Sequence, residues 1–580
     1  MLRTHTCGQL RADDAGRTVT LTGWLDNVRD LGAMLFFVVR DTYGITQAVA
    51  SDADIMNAVR EIPIESAVRV SGEAILRSSP NNKIPTGEIE IRPRSVDDIE
   101  VLGKCVEELP FQIDDSRSSR EDLRLKYRFL DLRNPLNQSR IKLRSSVIAS
   151  IRKHMTAQGF LEVQTPILTN SSPEGARDYI VPSRVHAGRF YALPQAPQQY
   201  KQLLMASGFD RYFQIAPCFR DEDARADRSP GEFYQLDMEM AFAGQEDVFA
   251  AIEPVMYSVF TEHTSKRVTP APFPRIAYRD AIAQFGSDKP DLRNPLRIAD
   301  VSDMVDDTYP GFFQEKEVRA IKIDKFTLTR KQMDAIAAKV KEMGGANAYW
   351  FKWDNGAAAG GAANALGQDN AGKLASALGI PNGGAAVMLA EPKETAAKLS
   401  GMLRGLLGDA LGIIDEDQFA FCWVVDFPMF ERDEETGGII FSHNPFSMPQ
   451  GGLDALKGGD PLNVLAYQYD IVCNGIELSS GAVRNHDPAT MVRAFQLAGY
   501  GEEEVSKRFP ALYNAFRYGA PPHAGVAPGV DRIVMLLSGE PNIREVIAFP
   551  MNKNAQEPLM GSPGVVTDKQ LRDVHIRVAE

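Results

Sequence analysis

The chain has 580 residues, too many for one compact core, so we expect about two to four domains. Its 44% hydrophobic and 24% charged residues are typical of a soluble globular protein, and no apolar run approaches the ~20 residues of a membrane helix. The net charge of −13 argues against a protein that coats nucleic acid nonspecifically, although local basic patches could still bind one.

The amino terminus and the cysteines indicate the cellular compartment in which the protein is expected. Residues 1–6 turn polar at once, so no secretory signal is visible. The five cysteines are scattered and form no Cys-x-x-Cys pair, which argues against a disulfide framework or a zinc site. Together these features predict a cytoplasmic protein with no membrane partner.

About the first hundred residues predict a small β-barrel. Short strands alternate with turns, and we expect them at residues 18–25, 35–40, 45–49, 67–76 and 88–92. This pattern favours an OB-fold, and it leaves a generic β-sandwich open as the alternative.

A hinge and a long helix are expected next. The stretch 105–138 is polar and is interrupted by Pro110 and Pro135. Apolar residues then recur at helical spacing up to Met155, and Gly159 sits where a C-cap would. A strand over 160–163 leads into Pro166, and a second β-rich stretch is predicted over 191–240.

The predicted order of strands and helices changes near residue 290. Strands and helices alternate as far as residue 418, and core-type strands resume at Phe419. We therefore predict an α+β multidomain protein in which one domain is interrupted by an inserted α/β block. The predicted parts are a barrel (1–104), a hinge (105–138), a catalytic domain in two pieces (139–289 and 419–555), the insertion (290–418) and a carboxy-terminal extension (556–580).

The segment 219–240 carries the strongest chemical signal. Two strands flank a charged loop, and alternation in the second strand places Phe233, Asp237 and Glu239 on one face. That face is too polar for a core, so it is expected to line a site. Arg220 suits a polyphosphate and Phe233 a stacked purine. The alternative is a solvated, self-paired charge hairpin.

A second constellation surrounds the dipeptide Asn474-Gly475, a strong hairpin signal. If the chain turns there, Val472 opposes Glu477 and Asp470 opposes Ser479, so the two carboxylates share one face. Paired carboxylates repel each other unless a cation lies between them, and Mg²⁺ bridging to ATP phosphates suits the position. An exposed acidic hairpin is the alternative.

The third constellation, residues 525–537, is a glycine-punctuated strand followed by an apolar helix. Arg532 stands at the start of that helix. A guanidinium there could cover the far face of a base stacked on Phe233. Taken in isolation, the segment fits a structural role equally well.

Together these three segments resemble the signature motifs of class II aminoacyl-tRNA synthetases. The helix and strand ending at Pro166 match motif 1, residues 219–240 match motif 2, and residues 525–537 match motif 3. Stretches such as Ser172-Pro-Glu-Gly-Ala-Arg-Asp-Tyr and Ile543-Arg-Glu-Val-Ile-Ala-Phe-Pro resemble bacterial aspartyl-tRNA synthetases in particular, and the insertion resembles their GAD domain. The resemblance covers essentially the whole chain and implies an OB-fold barrel, an antiparallel-sheet catalytic domain and a GAD-like insertion.

The resemblance implies a ligase that activates L-aspartate with ATP and transfers it to the 3′-terminal adenosine of tRNA(Asp), with tRNA(Asn) left open. The implied ATP-binding residues are Arg220, Asp221, Glu222, Phe233, Glu477 and Arg532. Of these, Arg220, Glu477 and Arg532 would be catalytic, and Asp470 with Glu477 would hold Mg²⁺. The implied aspartate-binding residues are Glu174, Gln198, Lys201, Asp237, His443 and Arg484.

The charges of the implied aspartate-binding residues support this assignment independently of the resemblance. Lys201 and Arg484 supply cations for the substrate β-carboxylate, and a site built on such charges should reject asparagine. His443 could instead have a purely structural role.

In the barrel, Arg29, Phe36 and Gln47 match positions that contact the anticodon in this family, with a core role as the alternative for Phe36. Motif 1 forms the dimer interface in this family, so a homodimer is expected.

Some positions depart from the family pattern, and rival functions stay open. Ala196, Ser229 and the pair Ser479-Ser480 replace residues that are frequent in the family, which concerns affinity and not reaction type. Leu31 and Lys83 favour an enzyme strict for tRNA(Asp). The rivals are asparaginyl-tRNA synthetase, a ligase that makes asparagine from aspartate and ammonia, and a non-catalytic RNA-binding paralogue.

Overall fold

A computed structural model describes residues 2–171, 176–228, 231–433 and 435–579. The chain forms two compact units, one of Met1–Ile141 with Glu557–Ser562 and one of Lys142–Gln556 with Pro563–Glu580. The finer division into six parts stays a prediction. Within the described ranges, every helix is too short or too polar to cross a bilayer.

The first unit contains the predicted barrel. Its strands are Thr18–Asp30, Leu35–Asp41, Gly44–Ala50, Ala67–Leu76, Ile89–Arg92 and Ile99–Gly103. The first strand pairs with both the second and the fourth, and the third pairs in parallel with the fifth through Ala48 and Ile91, so five strands close on themselves. The sixth strand pairs antiparallel with the fourth. Closure confirms the barrel and excludes the sandwich.

Alternation along these strands explains the barrel core. Val19, Leu21, Phe37 and Val39 point inward and are at most 1% exposed. The sequence prediction missed the helix Ala53–Arg60 between the third and fourth strands. Asp52 caps it by accepting hydrogen bonds from the backbone nitrogens of Asp54 and Ile55.

Part of the segment predicted as a hinge is folded. It contains the short helices Glu121–Lys126 and Arg128–Asp131. They surround the buried carboxylate of Asp131, which accepts hydrogen bonds from Arg124 at 3.1 Å and from Ser116 at 2.7 Å. A buried charge is tolerated here because it is paired and hydrogen-bonded.

The second unit is built on an eight-stranded sheet. In spatial order its strands are Arg275–Ala277, Phe421–Val425, Gln468–Cys473, Ile476–Val483, His523–Val526, Gly231–Ala241, Arg211–Arg220 and Leu161–Glu162. Neighbouring strands are antiparallel except at the two edges. The core on one face is completed by the helices Pro135–Ala157, Gln245–His263 and Val530–Ser538.

The stretch 191–240 is less β-rich than predicted, because it contains the helix Gln198–Ala206. The buried residues of this helix are Gln198, Lys201, Gln202 and Met205, which have helical spacing but are mostly polar. Hydrophobic periodicity therefore gave no signal there.

Smaller elements complete this part of the unit. Short strands pair as Ile180–Pro182 with Phe190–Ala192, Arg267–Val268 with Gln418–Phe419, and Phe430–Arg432 with Ile439–Phe441. The remaining helices are Gly452–Ala455, Pro488–Leu497, Glu502–Arg508, Pro510–Phe516 and Asp568–Asp573.

Residues 298–391 form a second sheet within this unit. Its strands, all antiparallel, are in order Ile298–Asp300, Glu317–Ile323, Gly384–Glu391, Tyr349–Asp354 and Ala357–Ala359. The accompanying helices are Tyr278–Phe285, Arg330–Glu342, Ala363–Leu378 and Lys393–Leu411. Every residue of the central strand Gly384–Glu391 is buried, because separate apolar cores lie on the two faces of this sheet.

Candidate active site

The large sheet carries a cavity of about 450 Å³. The predicted residues that line it are Gln198, Lys201, Arg220, Glu222, Phe233, Asp237, His443, Asp470, Glu477, Arg484 and Arg532. Asp221 does not line it, and Glu174 and Ser229 lie outside the described residues. Side chains from segments far apart in the sequence thus meet in one cleft, as the sequence analysis expected.

Strand Gly231–Ala241 divides core from cleft. Leu236, Met238 and Met240 pack in the core, while Asp237 and Glu239 point to the opposite face, as predicted from alternation. Glu239 is fully buried, and it was not among the predicted site residues.

Four buried charges form the inner end of the cleft. The Nζ atom of Lys201 lies 2.6 Å from Asp237 Oδ1 and 3.4 Å from Glu239 Oε2. Arg484 donates to Glu239 through Nε at 2.8 Å and through Nη2 at 3.2 Å. Two cations and two carboxylates balance, which makes their burial tolerable.

The pairs leave specific atoms available to a ligand. Asp237 Oδ2 is buried and makes no hydrogen bond with any described residue, so an ammonium group fits there. Burial raises the pKa of Asp237 against the influence of Lys201. Burial would also raise the pKa of Glu239, but Arg484 and Lys201 outweigh it and hold that pKa below its ordinary value.

Beside these charges lie two buried glutamines and His443, whose side chain is exposed in the cleft. Gln198 donates to Gln202 at 3.0 Å, and Gln202 in turn contacts His523 Nε2 at 3.0 Å. His443 lines the cavity and meets Phe427 edge-on at 5.1 Å between ring centroids. Desolvation by the surrounding cleft lowers the pKa of His443, although nearby carboxylates, Asp288 first, oppose that shift.

The outer end of the cleft suits a nucleotide. The Arg220 guanidinium lies over the Phe233 ring, 4.9 Å from its centroid, and its Nε atom is buried without a hydrogen-bond partner in the described chain. Arg532 donates to the Glu477 carbonyl oxygen at 2.6 Å. In the motif 2 loop, Glu222 and Arg228 pair at 2.7 Å, so part of that loop is self-paired.

The predicted hairpin forms at Asn474-Gly475, where both residues have positive φ. Val472 opposes Glu477 as predicted, but Asp470 opposes Ser480 and not Ser479. The prediction was wrong at this position because a bulge at Leu478 inserts one residue into the strand, and Leu478 packs in the core.

Asp470 and Glu477 fit a divalent cation. Burial and then repulsion from Glu477 raise the pKa of Asp470 well above its ordinary value, and Asp470 Oδ1 makes no hydrogen bond within the described ranges. No cluster of three or more acidic, His or Cys ligands occurs among the residues that the structure describes. The pair therefore suits a metal that takes its other ligands from phosphate and water, as Mg²⁺ does.

The predicted anticodon residues share one face of the barrel. Arg29 pairs across strands with Phe36, Phe36 with Val49, and Val38 with Gln47. This face is opposite to the core, and Phe36 is half-buried outside it. The Gln47 side chain donates to Glu90 at 2.7 Å.

Comparison with known proteins agrees with this geometry. Residues 120–553 match a family described as tRNA synthetases class II (D, K and N), and residues 19–101 match the OB-fold nucleic acid binding domain. A Zymomonas mobilis protein named aspartate–tRNA(Asp/Asn) ligase is 54% identical over all of this chain and 98% of its own length. The chain belongs to the bacterial-type aspartyl-tRNA synthetases.

Further relatives support the assignment of this synthetase. A Streptomyces coelicolor protein named aspartate–tRNA ligase is 52% identical, covering 99% of this chain and 98% of the relative. The solved aspartyl-tRNA synthetase of Entamoeba histolytica has a TM-score of 0.57 at 21% identity, covering 93% of this chain and 89% of that one. The latter likeness shows the fold alone.

The predicted family, fold class and enzyme class are thereby confirmed. The synthetase is an aminoacyl-tRNA ligase of the aspartate type, which favours the main prediction over the asparaginyl and non-catalytic alternatives. Among the lining residues that the sequence analysis did not identify is Lys289, which lies in none of the three motifs and gave no signal. The strand alternation placed Glu239 on the face toward the site, but no role was assigned to it.

Proposed function

We propose that this synthetase activates L-aspartate with ATP in the described cleft and transfers it to the 3′-terminal adenosine of tRNA(Asp). The observation that carries the proposal is the buried set Lys201–Asp237 and Arg484–Glu239 beside the acidic pair Asp470 and Glu477. One end of the cleft is built for an acidic amino acid, and the other for a metal-bound triphosphate.

The inner charges would position aspartate. Its β-carboxylate fits between Lys201 and Arg484, and its α-ammonium fits the unpaired oxygen of Asp237. Asparagine would present to Lys201 and Arg484 an amide nitrogen, which donates hydrogen bonds and cannot accept them, so the site rejects it. Gln198 and His443 line the same cavity, and we assign them to the amino acid as well.

The outer residues would position ATP for in-line attack by the aspartate carboxylate on the α-phosphorus. Arg220 neutralises charge that develops on the α-phosphate, while Phe233 and Arg532 hold the adenine from its two sides. Asp470 and Glu477 would hold Mg²⁺, which neutralises the phosphate oxygens when bound. The arrangement requires no covalent enzyme intermediate.

The same proposal covers tRNA and assembly. The face with Arg29, Phe36 and Gln47 offers a stacking ring and polar groups to unpaired anticodon bases. Leu31 and Lys83 lie in loops of the barrel and favour tRNA(Asp) alone. Exposed apolar residues close to motif 1 (Leu161, Ile167, Leu168 and Ile180) support a homodimer. We place the enzyme in the cytoplasm.

Two assays test the proposal. Aspartate should support ATP–pyrophosphate exchange without tRNA, and asparagine should not. Aminoacylation of tRNA(Asp) and tRNA(Asn) transcripts then tells a strict enzyme from one that charges both. Exchange driven by asparagine, or no exchange at all, would refute the proposal.

A further inference from the structure

A lysine outside the three motifs enters the nucleotide end of the cleft. Lys289 lines the cavity, and its ammonium lies 2.7 Å from Asp288 Oδ2 and 3.4 Å from Glu477 Oε2. Its side chain is 37% exposed, so it can reach a ligand in the cleft. Lys289 therefore sits beside one of the two carboxylates that we assign to Mg²⁺.

The inserted block fixes the segment that carries this lysine. Arg404, on the buried face of helix Lys393–Leu411, donates to the carbonyl oxygens of Asp291 at 2.8 Å, Asn294 at 2.6 Å and Leu296 at 2.7 Å. Asn294 returns a hydrogen bond to the Arg404 carbonyl at 2.9 Å. The backbone just after Lys289 is thus tied to the insertion by four hydrogen bonds.

The opposite side of the same segment packs on the acidic hairpin. A Cβ atom added to Gly475 would lie only 3.3 Å from the Cβ of Asp291. Gly475 also has a φ of +78°, which a side chain would disfavour. The distance between Lys289 and Glu477 is therefore set by direct packing of the segment on the turn.

Charge indicates what the lysine does. ATP keeps a net negative charge when one Mg²⁺ is bound, and Arg220 is already assigned to the α-phosphate. A compact ammonium beside the metal-binding carboxylates suits phosphate oxygens, because lysine binds phosphate as a point charge. Without a ligand, the same ammonium offsets the repulsion between Asp470 and Glu477.

We propose that Lys289 binds the outer phosphates of ATP, and hence pyrophosphate, and that the inserted block holds it over the acidic pair. This inference rests on the proposed function. It assigns to the insertion a part in positioning the nucleotide. The competing interpretation is that Lys289 is only a counter-ion for Glu477.

The test compares ligands that differ only in the outer phosphates. Calorimetry on the full chain with Mg²⁺ would give dissociation constants for AMP and for a non-hydrolysable ATP analogue. Lys289→Met should weaken binding of the analogue about tenfold and leave that of AMP within about twofold, since one charged contact is lost. Lys289→Arg should restore most of the affinity.

The control is Lys322→Met. Lys322 has a similar exposure of 39% and an ion pair with Asp324 at 3.1 Å, but it lies in the insertion away from the cleft lining. It should bind both ligands as the parent does. Lys289→Gln, with its melting temperature checked, replaces Lys289→Met if the latter misfolds.

Equal weakening of AMP and the analogue, or no weakening of either, would overturn the assignment to the outer phosphates. Failure of the proposed function would differ, because the parent enzyme itself would then lack aspartate-dependent exchange.

Discussion

Arg484 and Glu239 form a bidentate ion pair with both side chains at most 2% exposed, through Nε at 2.8 Å and Nη2 at 3.2 Å. Removing one member of such a pair leaves the other charge buried alone, which costs about 3–5 kcal/mol. Because Arg484 also lines the cleft, the proposed role of this arginine would couple recognition of the amino acid to the stability of the domain.

We expect Arg484→Leu to lower aspartate-dependent pyrophosphate exchange at least about 100-fold, because the substrate carboxylate loses a buried cation. Binding of an ATP analogue, measured by calorimetry, should persist. The melting temperature should fall, since Glu239 loses its bidentate partner and keeps only the Lys201 ammonium at 3.4 Å.

The double variant Arg484→Leu/Glu239→Gln separates the two effects. It should regain much of the lost thermal stability without regaining use of aspartate. Exchange at the parent rate in either variant would show that Arg484 does not bind the amino acid.

Asp470→Asn should uncouple metal binding from folding. Burial and repulsion from Glu477 raise the pKa of Asp470, so in the metal-free protein an amide should leave the free energy of unfolding unchanged or raise it by about 1 kcal/mol. Exchange at saturating Mg²⁺ should fall about 100-fold.

Thermal melts in EDTA and Mg²⁺ titrations of exchange measure these two effects. Asp454→Asn, at an exposed position, is the control. A variant that is less stable but has the parent's Mg²⁺ dependence would contradict the assignment.

His523 should make stability depend on pH. It is fully buried, donates from Nδ1 to the Pro521 carbonyl at 2.8 Å, and faces Gln202, Glu239, Arg484 and His486. Burial lowers its pKa below 6.5, and Glu239 opposes that shift only in part. The unfolded chain therefore binds the proton first as the pH falls.

Its contribution to the free energy of unfolding is constant above pH 6.5 and declines below it, by up to about 1.4 kcal/mol per pH unit. His523→Asn, which keeps a donor for Pro521, should flatten this part of the curve. Denaturant unfolding of parent and variant between pH 5 and 8 measures the difference in slope. Parallel curves would contradict the prediction.

Phe36 and Phe37 form a matched pair on opposite faces of one strand. Phe36→Leu should raise the KM for tRNA about tenfold and leave exchange unchanged, because a stacked base is worth about 1–3 kcal/mol. Phe37, at 1% exposure, lies in the core, so Phe37→Ala should cost about 3–5 kcal/mol of stability. If Phe36→Leu charges tRNA like the parent, that face does not contact the anticodon.

Local signals predicted much of the fold. The Asn474-Gly475 turn and the alternation from Phe233 to Glu239 formed as expected, because both depend on backbone geometry within a few residues. The bulge at Leu478 could not be predicted from local sequence. It forms because the Leu478 side chain packs into a core that is completed by helices distant in the sequence.

In the candidate site, too, the sequence did not reveal features that depend on contacts between distant residues. The motifs predicted many of the cleft residues, but Lys289 lies outside them. It comes near Glu477 in a segment whose following residues are hydrogen-bonded by Arg404, far along the chain. The helix Gln198–Ala206 was missed for a related reason: its buried face is polar, with Lys201 paired to Asp237. Periodicity of apolar residues cannot reveal such a helix.

The ion pair between Arg484 and Glu239 also limits how the enzyme can evolve. A lineage that drifts toward an amide substrate cannot exchange the arginine for a neutral residue without a cost, since the buried glutamate then keeps only Lys201 and the protein is destabilised. Two concerted replacements are needed, one at Glu239 within its strand and one at Arg484, which directly follows the strand Ile476–Val483. If Arg484 binds the substrate as proposed, selectivity for the acid is thereby protected by the requirement to fold.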